Sequence, residues 1–287
     1  MATNAFPRTM VGGISLPRML MGTNWLLGYS HTGPAADNMI KARHSDPKNV
    51  AAVADAYLQY GIDAMMAPDF SADSPLEQGL RMSEERSGRK IIRIVTPALN
   101  VDDTAEGRAE AEKLVKKCAE DGATFCLIHH MACEQLINKN RQTMDRLPDY
   151  LDMIRRHGMI PGLSAHMPEV VQYADRNEYD VETYIQIYNC MGFLMQIEVE
   201  GVNSIIWNAK KPVMTIKSMA AGRCTPFVGL TFSYSTIRDC DMVTLGAFTP
   251  DEVHEDVEIA LATLEHRHPL LGKRSSPAPS SILTVRE

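Results

Sequence analysis

The order in which short apolar runs and helical segments alternate constrains this chain more than any single motif. Aliphatic runs that end in polar or small residues recur at 17–23, 62–67, 91–96, 124–129, 160–165, 184–189, 213–217 and 242–246. Helical spacing of apolar residues follows most of them. Asp46-Pro47 opens one such segment, with Val50, Val53, Ala54, Tyr57 and Leu58 on one face. Asp103 or Thr104 opens another that runs to Lys117. Residues 145–157 carry Leu147, Leu151 and Ile154, with Pro148 tolerated because it falls in the first turn. A short helix is expected at 168–176, and 250–264 sets Val253, Val257, Ala260, Leu261 and Leu264 at helical spacing. Eight strand-then-helix units in a row predict a parallel sheet, and right-handed crossovers close it. The expected fold is therefore α/β, a (β/α)8 TIM barrel. Gly12-Gly13 between two short apolar stretches adds an N-terminal β-hairpin. A doubly wound open sheet is the alternative, but no Gly-rich phosphate fingerprint follows the first run.

Residues 1–272 are expected to form one barrel domain, and 273–287, with Ser-Ser-Pro-Ala-Pro-Ser-Ser, a flexible low-complexity tail. The segment 26–48 is a long connection after the first strand, holding Tyr29, His31, Gly33, Pro34 and His44, and reads as a lid or a structural insertion. The 287 residues are 45% hydrophobic, ample for a sizeable core, and the formal net charge of −7 argues against nucleic acid or an anionic membrane as partner. No secretory signal and no run of about 18 apolar residues is present. The six cysteines form no CxxC pair, which suits reduced thiols in a cytoplasmic protein. A small-molecule substrate is the expected partner, with a homo-oligomer open.

Several ordered motifs carry a resemblance. Gly13-Ile14-Ser15 is followed by Gly22-Thr23-Asn24-Trp25. Gly61-Ile62-Asp63 enters the second run, Leu127-Ile128-His129 ends the fourth and Tyr188-Asn189 ends the sixth. Pro212-Val213-Met214-Thr215-Ile216-Lys217 forms the seventh, and Gly246-Ala247-Phe248-Thr249-Pro250-Asp251-Glu252 follows the eighth. In order and spacing, over about residues 10–265, these resemble the aldo/keto reductases. The resemblance implies NADP as cofactor and an Asp, Tyr, Lys and His around its nicotinamide. Only the His has a counterpart, His129. Met66 stands at the Asp position, Phe70 or Ser71 at the Tyr position, and Thr96-Pro97 at the Lys position. Phe cannot donate a proton, and losing one general acid costs about 10²- to 10⁴-fold. Three coupled losses argue against that mechanism.

Other residues at the strand ends suggest different chemistry, because a barrel carries its site there. His129 or His130, whichever faces inward, and His166 on the adjacent strand would suit Zn²⁺ or Mn²⁺ together with Asp69 or Glu198 across the mouth. The bland alternative is that these histidines bond loop carbonyls. Lys217 shares the parity of Thr215, which predicts that it faces the mouth. Its readings are anion or substrate contact, an ion pair with Asp69 or another carboxylate, or a Schiff base with a carbonyl substrate. Arg223, in the loop before a helix opening at Thr225-Pro226, can hold a phosphate or a cofactor. Asn24, Trp25, Asn100 and Asn189 suit a polar, sugar-like substrate, against local capping for the amides. Three functions follow as expectations. The first is a metal-assisted lyase, isomerase or aldolase-like enzyme on a small polar carbonyl or sugar-like metabolite, with His129, Lys217 and Asp69 catalytic. The second is an NADP-dependent oxidoreductase with a rebuilt catalytic set. The third is a non-catalytic binding barrel.

Overall fold

The computed structural model describes residues 5–272. The expected tail at 273–287 lies outside the described residues.

The chain opens on two antiparallel strands, β1 (Arg8–Val11) and β2 (Ile14–Pro17), joined by Gly12 and Gly13 at φ +54° and +82°. Two successive left-handed residues are what a tight hairpin turn needs, and glycine supplies them without a steric penalty. The strands that follow are β3 (Met19–Gly22), β4 (Ala64–Ala67), β5 (Ile92–Val95), β6 (Phe125–Ile128), a small antiparallel ribbon of β7 (Ile137–Asn138) and β8 (Thr143–Met144), then β9 (Ile160–Ala165), β10 (Tyr184–Ile187), β11 (Val213–Ile216) and β12 (Met242–Leu245). Eight of them, β3-β4-β5-β6-β9-β10-β11-β12, pair in parallel in sequence order, and β12 closes onto β3. The barrel and hairpin read from the alternation are thus both present.

The helices are α1 (Asn24–Leu27), α2 (Pro34–His44), α3 (Pro47–Leu58), α4 (Pro75–Ser87), α5 (Ala105–Glu120), α6 (His130–Cys133), α7 (Leu147–Arg156), α8 (Glu169–Arg176), α9 (Val199–Asn208), α10 (Pro226–Thr236) and α11 (Pro250–Leu264). Four begin with one device. The side chain of Asp46, Ser74, Thr225 or Thr249 caps a first-turn backbone N–H, and Pro follows where an N–H would go unused. The connection 26–48 is largely helical, because it contains α2. Within 191–211, between β10 and β11, the helix is α9. No described helix is long and apolar enough to cross a membrane.

Alternation along the strands separates two apolar layers. Leu20, Ala64, Met66, Ile94, Phe125, Leu127, Ile185, Met214 and Met242 fill the barrel, with Val11 and Leu16 of the hairpin closing one end. Met19, Met21, Met65, Val95, Cys126, Ile128, Leu163, Val213 and Val243 pack outward against the helices. Gly162 marks how tightly the interior is filled. A Cβ there would sit 2.7 Å from Leu127 Cγ and 2.9 Å from the Thr183 carbonyl oxygen. Gly162→Ala is expected to destabilise the protein by about 1–3 kcal/mol through overpacking. Urea denaturation checks this, and an unchanged midpoint would show that the barrel has slack there.

Candidate active site

The open end of the barrel is the end to which the strands deliver their C-termini. His129 and His130 follow β6, and His166 follows β9, which is paired directly with β6. The rings pack in series. His129 and His130 have centroids 4.2 Å apart, and His130 and His166 stack at 3.7 Å and 19°. The question of which of His129 and His130 points inward has a different answer from the parity argument. Regular strand geometry ends at Ile128, and α6 begins at His130. The turn brings both rings to the same side. His129 caps α6, its Nδ1 accepting the Met131 N–H at 3.4 Å, which leaves the proton of the neutral ring on Nε2.

Glu134, in the short 3₁₀ turn that continues α6, reaches under the cluster. Its Oε1 accepts the backbone N–H groups of His166 at 2.6 Å and Met167 at 2.9 Å, and its Oε2 lies 3.9 Å from His130 Nδ1. One ligand atom from each of His130, Glu134 and His166 falls within 4.8 Å of the others. The carboxylate of this group is therefore Glu134. Glu198, proposed for that role from the sequence, is exposed at the N-terminus of α9. His130 and Glu134 are four apart, which puts them on one helical face, and that spacing was available in the sequence.

Burial first, then the neighbouring His130 and the Lys217 charge, push the His129 imidazole down to about 4. Burial and the charges of His130, Lys217, His129 and His31 push His166 down to about 3. His130 is lowered by burial and Lys217. All three rings are neutral at pH 7. His130 and Glu134 are accordingly a ring facing a carboxylate and not an ion pair. These histidines titrate near 6.5 when unfolded. The unfolded chain therefore binds more protons between pH 6.5 and about 4, and stability is complete above 6.5 and lost as pH falls through that window. Urea midpoints of chelator-treated protein at pH 7, 6 and 5 should fall steadily, and less so in His166→Phe. A flat profile from pH 7 to 5 would contradict the neutral cluster.

Lys217 also reaches the mouth, but not by parity. Met214 belongs to the barrel interior and Val213 to the outer layer, so Thr215 faces outward and Lys217 would follow it. Lys217 instead takes φ +63°, a left-handed turn that redirects the side chain. Its Nζ lies 3.2 Å from His31 Nε2, and burial lowers its pKa. His31 comes from the loop before α2, with Asn24 Nδ2 3.5 Å from the same ring nitrogen. Arg223 stacks over Phe193, its Cζ 3.9 Å from the ring centroid, and donates to the Ala220 carbonyl at 3.1 Å.

The remaining candidates are placed as follows. Asp69 is exposed, accepts the Ser71 N–H at 3.1 Å and lies in a cleft of about 260 Å³ with Lys117 and Asp121 beside α5, so it does not join Lys217 or the histidines. Asn100 caps its own loop, accepting from Asp102 N and donating to Glu110. Asn189 does the same with Met191 and Phe193, and is fully buried. Both amides therefore serve loop conformation. Trp25 is half-buried at the end of β12, edge-on to Phe248 at 6.1 Å. Met66 lies 4.0 Å from Thr244 Oγ1 through its sulfur, and Phe70 is buried.

No protein-family model matches the chain, and no curated protein does. Solved structures do. A Pseudomonas aeruginosa protein assigned to the aldo-keto reductases is 16% identical at a TM-score of 0.62, covering 92% of this chain and 98% of its own. A second such Pseudomonas aeruginosa structure is 15% identical at 0.64 with the same coverage. An aldose reductase of Giardia lamblia is 8% identical at 0.52, covering 98% of this chain and 91% of its own. At these identities the likeness is one of architecture, and the chain is a divergent barrel with the fold of the aldo-keto reductases.

Proposed function

We propose that this protein is an enzyme acting on a small polar carbonyl or sugar-like metabolite, in a lyase- or isomerase-type reaction assisted by a divalent metal on His130, Glu134 and His166. The observation that carries the reading is the convergence of two neutral imidazoles and one carboxylate at the mouth of the barrel. Two histidines and a carboxylate form a donor set used by Zn²⁺ and other transition metals, which leaves positions open for substrate. Donor atoms on one ion at about 2.0–2.2 Å lie roughly 3.4 Å apart, so the stacked rings of His130 and His166 would have to unstack and turn their in-plane lone pairs to one point to complete the site.

The low pKa values support ligation over proton transfer. A general base works best when its pKa lies near the working pH. His166, near 3, lies well below it, and His130 is lowered as well. As ligands both would bind through a nitrogen that carries no proton at pH 7. A bound ion would polarise a carbonyl oxygen or activate water. The chain's own contribution is to fix the donors. Glu134 is held by two backbone amides, and His129 wedges His130 against His166. Lys217 adds a positive charge beside the reacting group.

Elemental analysis of protein purified without added metal tests the proposal. Close to one transition-metal ion per chain, removable by chelator and restored by Zn²⁺ or Mn²⁺, is the supporting outcome; protein that stays metal-free when offered these ions sinks it. An NADP-dependent reduction is the second reading, favoured by Arg223 and Lys217 flanking the loop after β11. It lacks the proton-donating tyrosine, because Phe70 or Ser71 stands at the corresponding position. Titration with NADPH decides it.

A further inference from the structure

Two residues that meet across the mouth have costly backbone conformations. His31 is at φ +58° and Lys217 at φ +63°, and neither is glycine or asparagine. Such strain persists where surrounding structure over-determines it, and it collects at functional sites. Here the surrounding structure is specific. On the His31 side, the Ser30 N–H and hydroxyl both donate to Asp37 Oδ1, at 2.8 and 2.6 Å, and the Thr32 N–H and hydroxyl donate to Ser30 Oγ, at 3.1 and 2.8 Å. Asp37 sits in the first turn of α2, so the helix of the long insertion clamps the loop that presents His31. On the other side, the Ala220 N–H closes onto the Lys217 carbonyl at 2.7 Å, and Ala220 and Ala221 are also left-handed. The two clamps aim an ammonium and an imidazole at one point.

That point has positive charge and no partner for it. Among the described residues neither Lys217 nor Arg223 forms a salt bridge, and their side-chain hydrogen bonds go to His31 and the Ala220 carbonyl. The Asp37 charge acts on His31, but its Oδ1 is taken by Ser30. Glu134 acts on His129 and is tied to the backbone of His166 and Met167. A half-buried ammonium without a counter-charge is unfavourable unless something supplies one.

We propose that Lys217 and His31 form a subsite for an oxyanion carried by the substrate, a carboxylate or a phosphate group, which rests on the reading of the barrel mouth as the substrate site. Lys217 donates a charge-assisted hydrogen bond to one oxygen. The His31 ring, which now shares Nε2 with Lys217, turns to the tautomer that donates to a second oxygen, and Asn24 Nδ2 reaches the same region. Arg223 contributes long-range attraction from its place on Phe193. The substrate so described pairs an anionic group with a carbonyl or hydroxyl directed at the histidine cluster.

Calorimetric titration of malonate, and separately of inorganic phosphate, into the chelator-treated full chain at low ionic strength tests this. At least one anion is expected to bind. Lys217→Met should weaken it about 10- to 100-fold, the value of a charge-assisted bond, and His31→Phe about 3- to 10-fold. Lys217→Arg, which keeps the charge, should recover most of the affinity, and this rescue separates lost charge from lost structure. Tighter malonate points to a carboxylate substrate and tighter phosphate to a phosphoester, and either supports the subsite. Binding of neither anion, or equal binding by wild type and Lys217→Met, overturns it. The metal is removed beforehand, so the two proposals fail separately. Anion binding by protein that never holds metal rejects only the metal, and stoichiometric metal without anion binding rejects only the subsite.

Discussion

Replacing Arg93 with methionine is expected to lower the free energy of unfolding by about 3–5 kcal/mol, the usual penalty for breaking a buried ion pair from one side. Arg93 lies on β5 with its side chain turned toward α4. It donates twice to Glu77, at 2.9 and 2.8 Å, and once to Glu84, at 3.0 Å. The three side chains are 10%, 3% and 6% exposed. Burial alone would raise the Glu84 carboxyl. The Ile91 N–H, Arg93 and Lys90 overcome it and hold the group below its ordinary value. Without Arg93, two buried carboxylates would remain, with Arg81, 3.0 Å from Glu77 Oε1, as partial compensation for Glu77 and the Ile91 N–H and Lys90 for Glu84. Urea denaturation of Arg93→Met at pH 7 measures the loss. Adding Glu77→Gln and Glu84→Gln should restore much of it, because the penalty comes from the orphaned charges. A loss under about 1 kcal/mol, the value of an exposed pair, would mean that solvent enters between β5 and α4.

Glu134→Gln should reduce affinity for Zn²⁺ or Mn²⁺ by at least about 100-fold, since partners outside the ligand sphere are already worth 10- to 100-fold. The substitution is chosen for what it keeps. The glutamine carbonyl oxygen can still accept the His166 and Met167 N–H groups, so the loop that places His166 survives. What is lost is the negative charge and the second oxygen. His166→Ala removes a ligand outright and should give an equal or larger loss. Metal competition with a chromophoric chelator reads both. Retained metal in both variants would place the ion elsewhere on the chain. Loss in His166→Ala alone would mean that Glu134 only positions the loop.

The architecture was legible because it is written in local periodicity. Strand-length apolar runs separated by capped helices leave few topologies once crossovers must be right-handed. Gly12-Gly13 fixed the hairpin through backbone conformation alone. Asp46-Pro47 and Thr225-Pro226 fixed helix starts, because capping involves only neighbours in sequence. The histidines were legible as candidates because strand ends meet at one face of a barrel, and His129 and His166 are on paired strands.

Tertiary structure decided which of these residues lie together. Glu134 was passed over for Glu198 because proximity across the mouth depends on loop paths that periodicity does not encode. Parity gave the wrong reason for Lys217, because one left-handed residue after β11 cancels the alternation, and no side-chain pattern announces a backbone angle. Asp69, Asn100 and Asn189 have the right chemistry and stand at strand ends, yet each is occupied by its own loop or a neighbouring one. His31 lies far from Lys217 in sequence, and only the clamp between Ser30 and Asp37 brings it there. Local sequence determined the elements and their order because those follow from interactions between near neighbours. The composition of the site followed from the closure of the barrel, which brings distant segments to one mouth.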